Sequence, residues 1–135
     1  MAATITRRPK SLALIRAREV ATNLSIPISV IDQDGSLVFF NQAAEAMHGM
    51  TFEEAGELSA DEWPRRFAPA KPDGTPLTLR ELPIGVALLE RRPVHETIQF
   101  TSAEEVIHEI YVTAFPLIGR ERELHGAVAI FWSVR

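Results

Sequence analysis

The chain has 135 residues, of which 46% are hydrophobic and 24% charged, with a formal net charge of −4 and no cysteine. This is the size and composition of one globular domain, and the absence of cysteine excludes disulfides, thiolate metal sites and cysteine nucleophiles. The acidic balance argues against nucleic acid as a partner. The lack of a long apolar run or a signal-peptide core predicts a cytoplasmic protein with no membrane partner.

The chain opens with a polar segment followed by a helix. Residues 1–10 are predicted to be disordered, and residues 11–24 to form a flanking helix ahead of a domain that covers residues 25–135. The helix carries an apolar stripe, made of Leu12, Ile15, Val20 and Leu24 together with several alanines. Such a stripe fits two uses, packing against the same domain or dimerisation, and the pattern leaves both open.

A hairpin and a capped helix come next. Two short apolar runs, residues 28–32 and 37–40, flank the turn-forming sequence Asp-Gln-Asp-Gly. Glycine adopts the positive φ of a tight turn at no steric cost, so the runs are predicted to pair as antiparallel strands. The side chain of Asn41 can then cap a helix over residues 42–48, which Gly49 ends.

Three more helices are predicted before the last strands. The first begins at Thr51, where the sequence Thr-Phe-Glu-Glu has the form of a capping box. The second covers residues 59–67. A proline-rich loop at residues 68–76 separates it from the third and longest, residues 82–92.

Three strands close the chain, over residues 94–101, 106–117 and 124–134. Alternate side chains of these strands point to opposite faces of the sheet, and towards the end of the chain both faces are apolar. A sheet with one face in water would carry polar residues on that face. The outer face is therefore predicted to be covered, either by the N-terminal helix or by a second copy of the chain. On this ground we expect a homodimer formed through the N-terminal helix and the outer sheet face.

Several stretches resemble PAS domains, the sensory and dimerisation modules of bacterial signalling proteins. The start of such domains is similar to D-Q-D-G-S-L-V-F-F-N-Q-A-A-E and the following G-M-T-F-E-E-A-G-E-L. Their middle is similar to K-P-D-G-T-P-L and P-I-G-V-A-L-L-E-R-R-P-V, and their last two strands to Y-V-T-A-F-P-L-I and L-H-G-A-V-A-I-F-W-S-V. The resemblance spans residues 24–134.

This resemblance implies a fold and a function. The fold is α+β, a PAS-like five-stranded antiparallel sheet with short helices on one face and an N-terminal flanking helix. The function is that of a sensor in signal transduction with no catalytic activity of its own, acting on an effector domain or a partner protein. Its signal would leave through the N-terminal helix or through residues 133–135.

Known PAS cofactors have signatures that can be sought in this sequence. Flavin photoreceptor members and members like photoactive yellow protein use a cysteine, so that chemistry is excluded here. Haem-binding members usually supply a histidine from the long central helix. Residues 82–92 contain none, which argues against haem and leaves His95, just beyond, as the alternative ligand. The resemblance then implies a small apolar or amphipathic ligand of unknown identity, or no ligand.

A cavity, if the domain has one, is expected between the inner face of the sheet and the short helices. The residues predicted to line it are Val30, Phe39, Met47, Trp63, Phe67, Leu88, Ile98, Ile110, Val112 and Phe131. All of them also fit a plain hydrophobic core. His108 shares the inner face of its strand, and is interpreted either as a buried histidine with a hydrogen-bond partner or as a polar contact to a ligand.

No catalytic or metal-binding constellation is readable in the sequence. The four histidines lie on separate elements without metal-ligand spacing, and the paired acidic residues are sequence neighbours on predicted surfaces. Two alternatives to a ligand sensor stay open. One is a pure interaction or dimerisation module without a ligand. The other is a small enzyme on a cone-shaped α+β fold of the ketosteroid isomerase type, with His108 or Asp32 as its acid–base residue.

Overall fold

The structure, a computed structural model, describes residues 11–134, so the predicted disordered segment 1–10 lies outside the described residues. Five strands form one antiparallel sheet. They are β1 (Ile28–Asp32), β2 (Leu37–Phe40), β3 (Val94–Thr101), β4 (Ile107–Ile118) and β5 (Leu124–Ser133). Across the sheet the order is β2-β1-β5-β4-β3, which places the last strand beside the first.

Within residues 11–134, five α-helices accompany the sheet. They are α1 (Leu12–Thr22), α2 (Gln42–His48), α3 (Phe52–Ala55), α4 (Glu62–Phe67) and α5 (Pro83–Glu90). Helix α1 precedes the first strand, and the four short helices follow between β2 and β3. This arrangement confirms the predicted α+β fold. No helix within residues 11–134 is long and apolar enough to cross a membrane.

The hairpin and the helix starts follow local side-chain chemistry. In the turn between β1 and β2, an Asp32 carboxylate oxygen accepts hydrogen bonds from the backbone N–H groups of Asp34 and Ser36, at 2.9 and 3.0 Å. Gly35 has a φ of +85° there, as the predicted turn requires. The capping box predicted at Thr51 is also present. Helix α5 is shorter than predicted because Arg91 turns into the left-handed conformation, with a φ of 55°.

The sheet separates two hydrophobic cores. The larger, inner core lies between the sheet and helices α2 to α5. The smaller, outer core lies between α1 and the β1, β2 and β5 side of the sheet. A bulge in the β1–β2 pairing sets Val30 opposite Phe39 but Ile31 opposite Leu37, so that Val38 is an extra residue.

Helix α1 packs through Leu14 and two alanines rather than through the large residues of the predicted stripe. Its buried residues are Leu14 and Ala21, and Ala17 between them is half-buried. Their spacing of three and four places them on one face of the helix. The four large members of the predicted stripe stay exposed by 61, 42, 60 and 44%, namely Leu12, Ile15, Val20 and Leu24. Of the two uses left open for the stripe, packing on the same domain is therefore not what these four side chains do.

Candidate ligand site

A cavity of about 80 Å³ lies between the inner face of the sheet and helices α4 and α5. Sixteen residues line it, and none of them is Asp, Glu, Lys or Arg. They are Ser29, Ile31, Leu37, His48, Trp63, Phe67, Pro69, Leu82, Pro83, Ile84, Ile98, Phe100, Ile110, Val112, Ala129 and Phe131. An ion inside this cavity would lose its hydration without gaining an opposite charge, so the site suits uncharged molecules.

Two helices and the sheet fix the cavity walls. The indole N–H of Trp63, on α4, donates to the backbone carbonyl of Gly35 at 2.9 Å and so ties α4 to the β1–β2 hairpin. Helix α5 starts with Pro83, whose fixed φ suits the first turn of a helix. On the sheet side, Ile110 and Val112 lie on the same face of β4, because alternate residues of a strand point the same way.

His48 is the unusual residue in the lining. It is the last residue of α2 and only 8% exposed, yet neither of its ring nitrogens has a hydrogen-bond partner. Its ring lies among four phenylalanine rings, at centroid distances of 4.4, 4.8, 5.1 and 5.9 Å from Phe67, Phe40, Phe100 and Phe131. Buried polar groups normally have a partner, so these two nitrogens call for an explanation.

His48 is neutral at physiological pH. Burial among apolar side chains disfavours the charged imidazolium, and the nearby His108 adds a smaller electrostatic effect. Together they lower the pKa of His48 from 6.5 to about 4. A neutral imidazole has one N–H donor and one acceptor nitrogen. The lining therefore offers one unused donor and one unused acceptor on this side chain.

At the other end of α2, Asn41 connects the two cores. Its side chain is 2% exposed, and its oxygen accepts hydrogen bonds from the N–H groups of Ile28 and Ala44, at 3.0 and 3.1 Å. Its amide nitrogen donates to three backbone carbonyls at the end of α1 and in the loop after it. They are those of Ala21 and Ile26, each at 2.9 Å, and that of Leu24 at 3.3 Å. The predicted helix cap is confirmed, and the same side chain also holds α1.

The structure brings together only part of the predicted lining. The members found at the cavity are Trp63, Phe67, Ile98, Ile110, Val112 and Phe131. Val30 and Phe39 lie instead in the outer core. Val30 stands between Ser29 and Ile31, which face the cavity, so alternation along β1 turns it the other way. Phe39 is turned outward by the bulge in β2. Met47 and Leu88 pack in the inner core without lining the cavity.

The other residues singled out in the sequence also lie away from the cavity lining. His108 stacks on Phe100, with 5.1 Å between ring centroids. His95 is exposed on β3, with its Nδ1 atom 3.0 Å from the Thr113 hydroxyl. The carboxylate of Asp32 accepts hydrogen bonds within the hairpin turn. Within residues 11–134, no three side chains of the types that bind metals come together.

Sequence reasoning did not select His48, although a signal was present. Asn41, Ala44 and His48 are spaced by three and four residues, which places them on one face of α2. All three are buried. Asn41 had already been predicted to cap this helix. A histidine one helical turn beyond a buried alanine on that face is therefore expected to point inward.

Comparisons with known proteins agree with this architecture. A family model for the PAS domain matches residues 15–83. No curated protein matches the sequence significantly. The PAS domain of a protein from Colwellia psychrerythraea superposes with a TM-score of 0.63 and 16% identity, covering 90% of this chain and 96% of that one.

Two further solved structures have the same fold. The LOV protein of Rhodobacter sphaeroides gives a TM-score of 0.70 at 15% identity, covering 93% of this chain and 69% of that one. The PAS domain of nitrogen regulation protein NR(II) from Vibrio parahaemolyticus gives 0.61 at 15% identity, covering 93% and 100%. Identities this low show a shared fold, and the family model matches about half of the chain.

Proposed function

Because this chain belongs to the PAS domain family of sensory and signalling modules, we propose that it is a sensor that responds to a small ligand in the inner cavity. The observation that carries the proposal is an uncharged cavity in which the buried His48 has two unused ring nitrogens. Ligand occupancy would favour one of two conformations, to the extent that the ligand binds one better than the other. The module would carry out no reaction itself.

Helix α2 supports a route by which occupancy reaches the N-terminal helix. His48, at the cavity, and Asn41, bonded to the end of α1, are the last residue and the N-cap of this one helix. A ligand that moves His48 would therefore shift the residue that holds the carbonyls of Ala21 and Ile26. Helix α1 would then pass the change to an effector domain or a partner protein.

Native mass spectrometry of the protein as purified, with an absorption spectrum of the same sample, tests the sensor proposal. We expect a colourless protein that carries one small added mass, or that gains one when incubated with cell extract. The added mass should disappear when Ile110, in the cavity wall, is replaced by Trp, which fills the space. Exposed Leu89→Trp is the matched control.

A Soret or flavin absorption band would contradict the proposed class of ligand. A protein that never carries added mass, in extract or alone, and that binds no small apolar molecule in titration would contradict the sensor proposal and favour the interaction module.

Exposed apolar side chains support a second candidate function, dimerisation. Leu12 and Val20 on α1 are 61 and 60% exposed, and Tyr111 and Trp132 on the outer sheet face are 42 and 41% exposed. The two aromatic rings contact each other, with centroids 6.2 Å apart. Such surfaces often mark protein interfaces when they are contiguous.

Charged substitutions on α1 test dimerisation. We expect Val20→Glu to convert a dimer to a folded monomer in sedimentation analysis, because a carboxylate would be buried at the interface. Leu89→Glu is the control, since Leu89 has a similar exposure of 56% but lies on α5. A Val20→Glu protein that stays dimeric would contradict an interface on α1.

A further inference from the structure

We infer, resting on the proposed sensor function, that the cavity takes an uncharged small molecule with an apolar body and one hydroxyl or carbonyl oxygen, which hydrogen-bonds to His48. Three lining residues have polar side-chain atoms, namely Ser29, His48 and Trp63. The indole N–H of Trp63 is already bonded to Gly35. Both ring nitrogens of His48 are buried without a partner.

The chemistry of the ligand follows from the lining. Thirteen of its sixteen residues are apolar, so most of a bound molecule would contact carbon atoms. A carboxylate or an ammonium group would find no opposite charge among the lining residues. A hydroxyl both donates and accepts, and so can pair with either nitrogen of neutral His48, while a carbonyl can accept from its N–H.

The size of the ligand follows from the cavity volume. A cavity of about 150 Å³ holds benzene, and this one measures about 80 Å³. It therefore has space for about three to five non-hydrogen atoms without rearrangement. Isobutanol, 2-methylbutane and isobutylammonium are suitable probes. They share one branched carbon skeleton and differ in ending with a hydroxyl, a methyl or a charged ammonium group.

Binding of these three probes to the protein and to His48→Leu tests the inference. We expect isobutanol to bind the wild-type protein in the millimolar range in NMR titrations, and isobutylammonium not to bind. The ratio of the isobutanol and 2-methylbutane affinities should fall about tenfold in His48→Leu, since one buried hydrogen bond is lost. His108→Leu is the matched control, because His108 lies outside the lining, and it should leave the ratio unchanged.

Ring nitrogen shifts provide a second measurement that needs no variant. In the ¹⁵N-labelled protein, isobutanol should move the His48 ring signals and 2-methylbutane should not, with the His108 signals as internal reference. A ratio that is the same in His48→Leu, or His48 signals that respond equally to both probes, would overturn the assignment of His48 while leaving the cavity intact. Failure of all three probes to bind the wild-type protein would contradict the sensor proposal itself.

Discussion

Two buried polar side chains at opposite ends of α2 behave in opposite ways. Asn41 makes five hydrogen bonds to backbone groups, and its amide is fully used. His48 is almost as deeply buried and makes none. The first joins the outer core to the inner one. The second has no side-chain hydrogen bond and belongs to the lining of a cavity.

The contrast shows how burial alone misleads about function. A buried amide with every hydrogen bond made is a structural joint, and its removal should cost stability. A buried imidazole with none made is a local loss of stability that the rest of the fold offsets, and such groups occur where a ligand supplies the missing partner. Because one helix carries both, substitutions at its two ends test the comparison directly.

The largest expected effect is at Asn41. Replacing Asn41 with Ala should lower the free energy of unfolding by about 4 kcal/mol, because several buried backbone groups lose their partner together. Urea denaturation at neutral pH measures this. Asn41→Asp is the sharper variant. Asp is normally as good a helix cap as Asn, but here its second oxygen would face the carbonyls of Ala21 and Ile26.

We therefore expect Asn41→Asp to be destabilised about as strongly as Asn41→Ala. A loss below about 1 kcal/mol in either variant would mean that Asn41 is an ordinary cap. In that case the proposed connection between α2 and α1 would lose its support.

The next effect is the pH dependence that His48 contributes. Its pKa is about 4 in the folded protein and 6.5 when unfolded. Above pH 6.5 the imidazole is neutral in both states and has no effect. As the pH falls from 6.5 to 4, the unfolded chain binds a proton that the folded chain does not, so stability falls, by about 3 kcal/mol in all.

Denaturation of wild type and His48→Leu across pH 4 to 8 measures this contribution as a difference. Exposed carboxylates add their own dependence at lower pH, and the pKa values of Glu54, Glu62, Asp73 and Glu81 are lowered by hydrogen bonds. Because both proteins share these groups, their effect cancels. Parallel curves between pH 6.5 and 4 would mean that His48 titrates normally and is accessible to water.

Trp63 is intermediate between the two, with one hydrogen bond and a half-buried ring. We expect Trp63→Phe to cost about 1.5 kcal/mol, since the Gly35 carbonyl loses its donor while the ring contacts are largely kept. Thermal denaturation measures the loss. An unchanged melting temperature would indicate that the bond from α4 to the hairpin contributes no net stability.

Features set by neighbouring residues were predictable from the sequence. The hairpin turn, the Asn41 cap and the Thr51 capping box each depend on a few adjacent side chains. The inward residues of the long strands, such as Ile98 and Val112, follow from regular alternation. Strands β1 and β2 are apolar on both faces, so the alternation of their residues did not indicate which side chains face the cavity and which face the outer core. The bulge in β2 then turned Phe39 towards the outer core.

Two features of the helices were not predicted from the sequence, the packing face of α1 and the place of His48 in the cavity lining. On α1 the apolar pattern left packing and dimerisation open, and it did not indicate that Leu14 and Ala21, rather than Leu12 and Val20, face the sheet. On α2, His48 was considered only as a metal ligand or base, and no local pattern marks a cavity. The helical spacing of His48 indicates an inward side chain, but the cavity forms from residues distant in sequence, such as Trp63 and Phe131, so the place of His48 in its lining could not be predicted without the fold.

The smallest expected effect is at Thr51, which caps α3 as Asn41 caps α2. Comparing the two residues separates the contribution of a helix cap from that of a buried connection. The Thr51 hydroxyl accepts from the Glu54 N–H at 3.0 Å, close to the 3.1 Å of the bond from Ala44 to Asn41. Thr51, however, is exposed and holds no distant segment.

Thr51→Ala should therefore cost about 1 kcal/mol, the usual value for a cap. The pKa of Glu54, lowered mainly by the Thr51 backbone N–H and further by the Thr51 hydroxyl, should rise only part of the way towards its ordinary value, since the variant loses the hydroxyl bond alone. Urea denaturation and an NMR titration measure the two effects. A cost equal to that of Asn41→Ala would show that capping, rather than the connection between the two cores, makes Asn41 important.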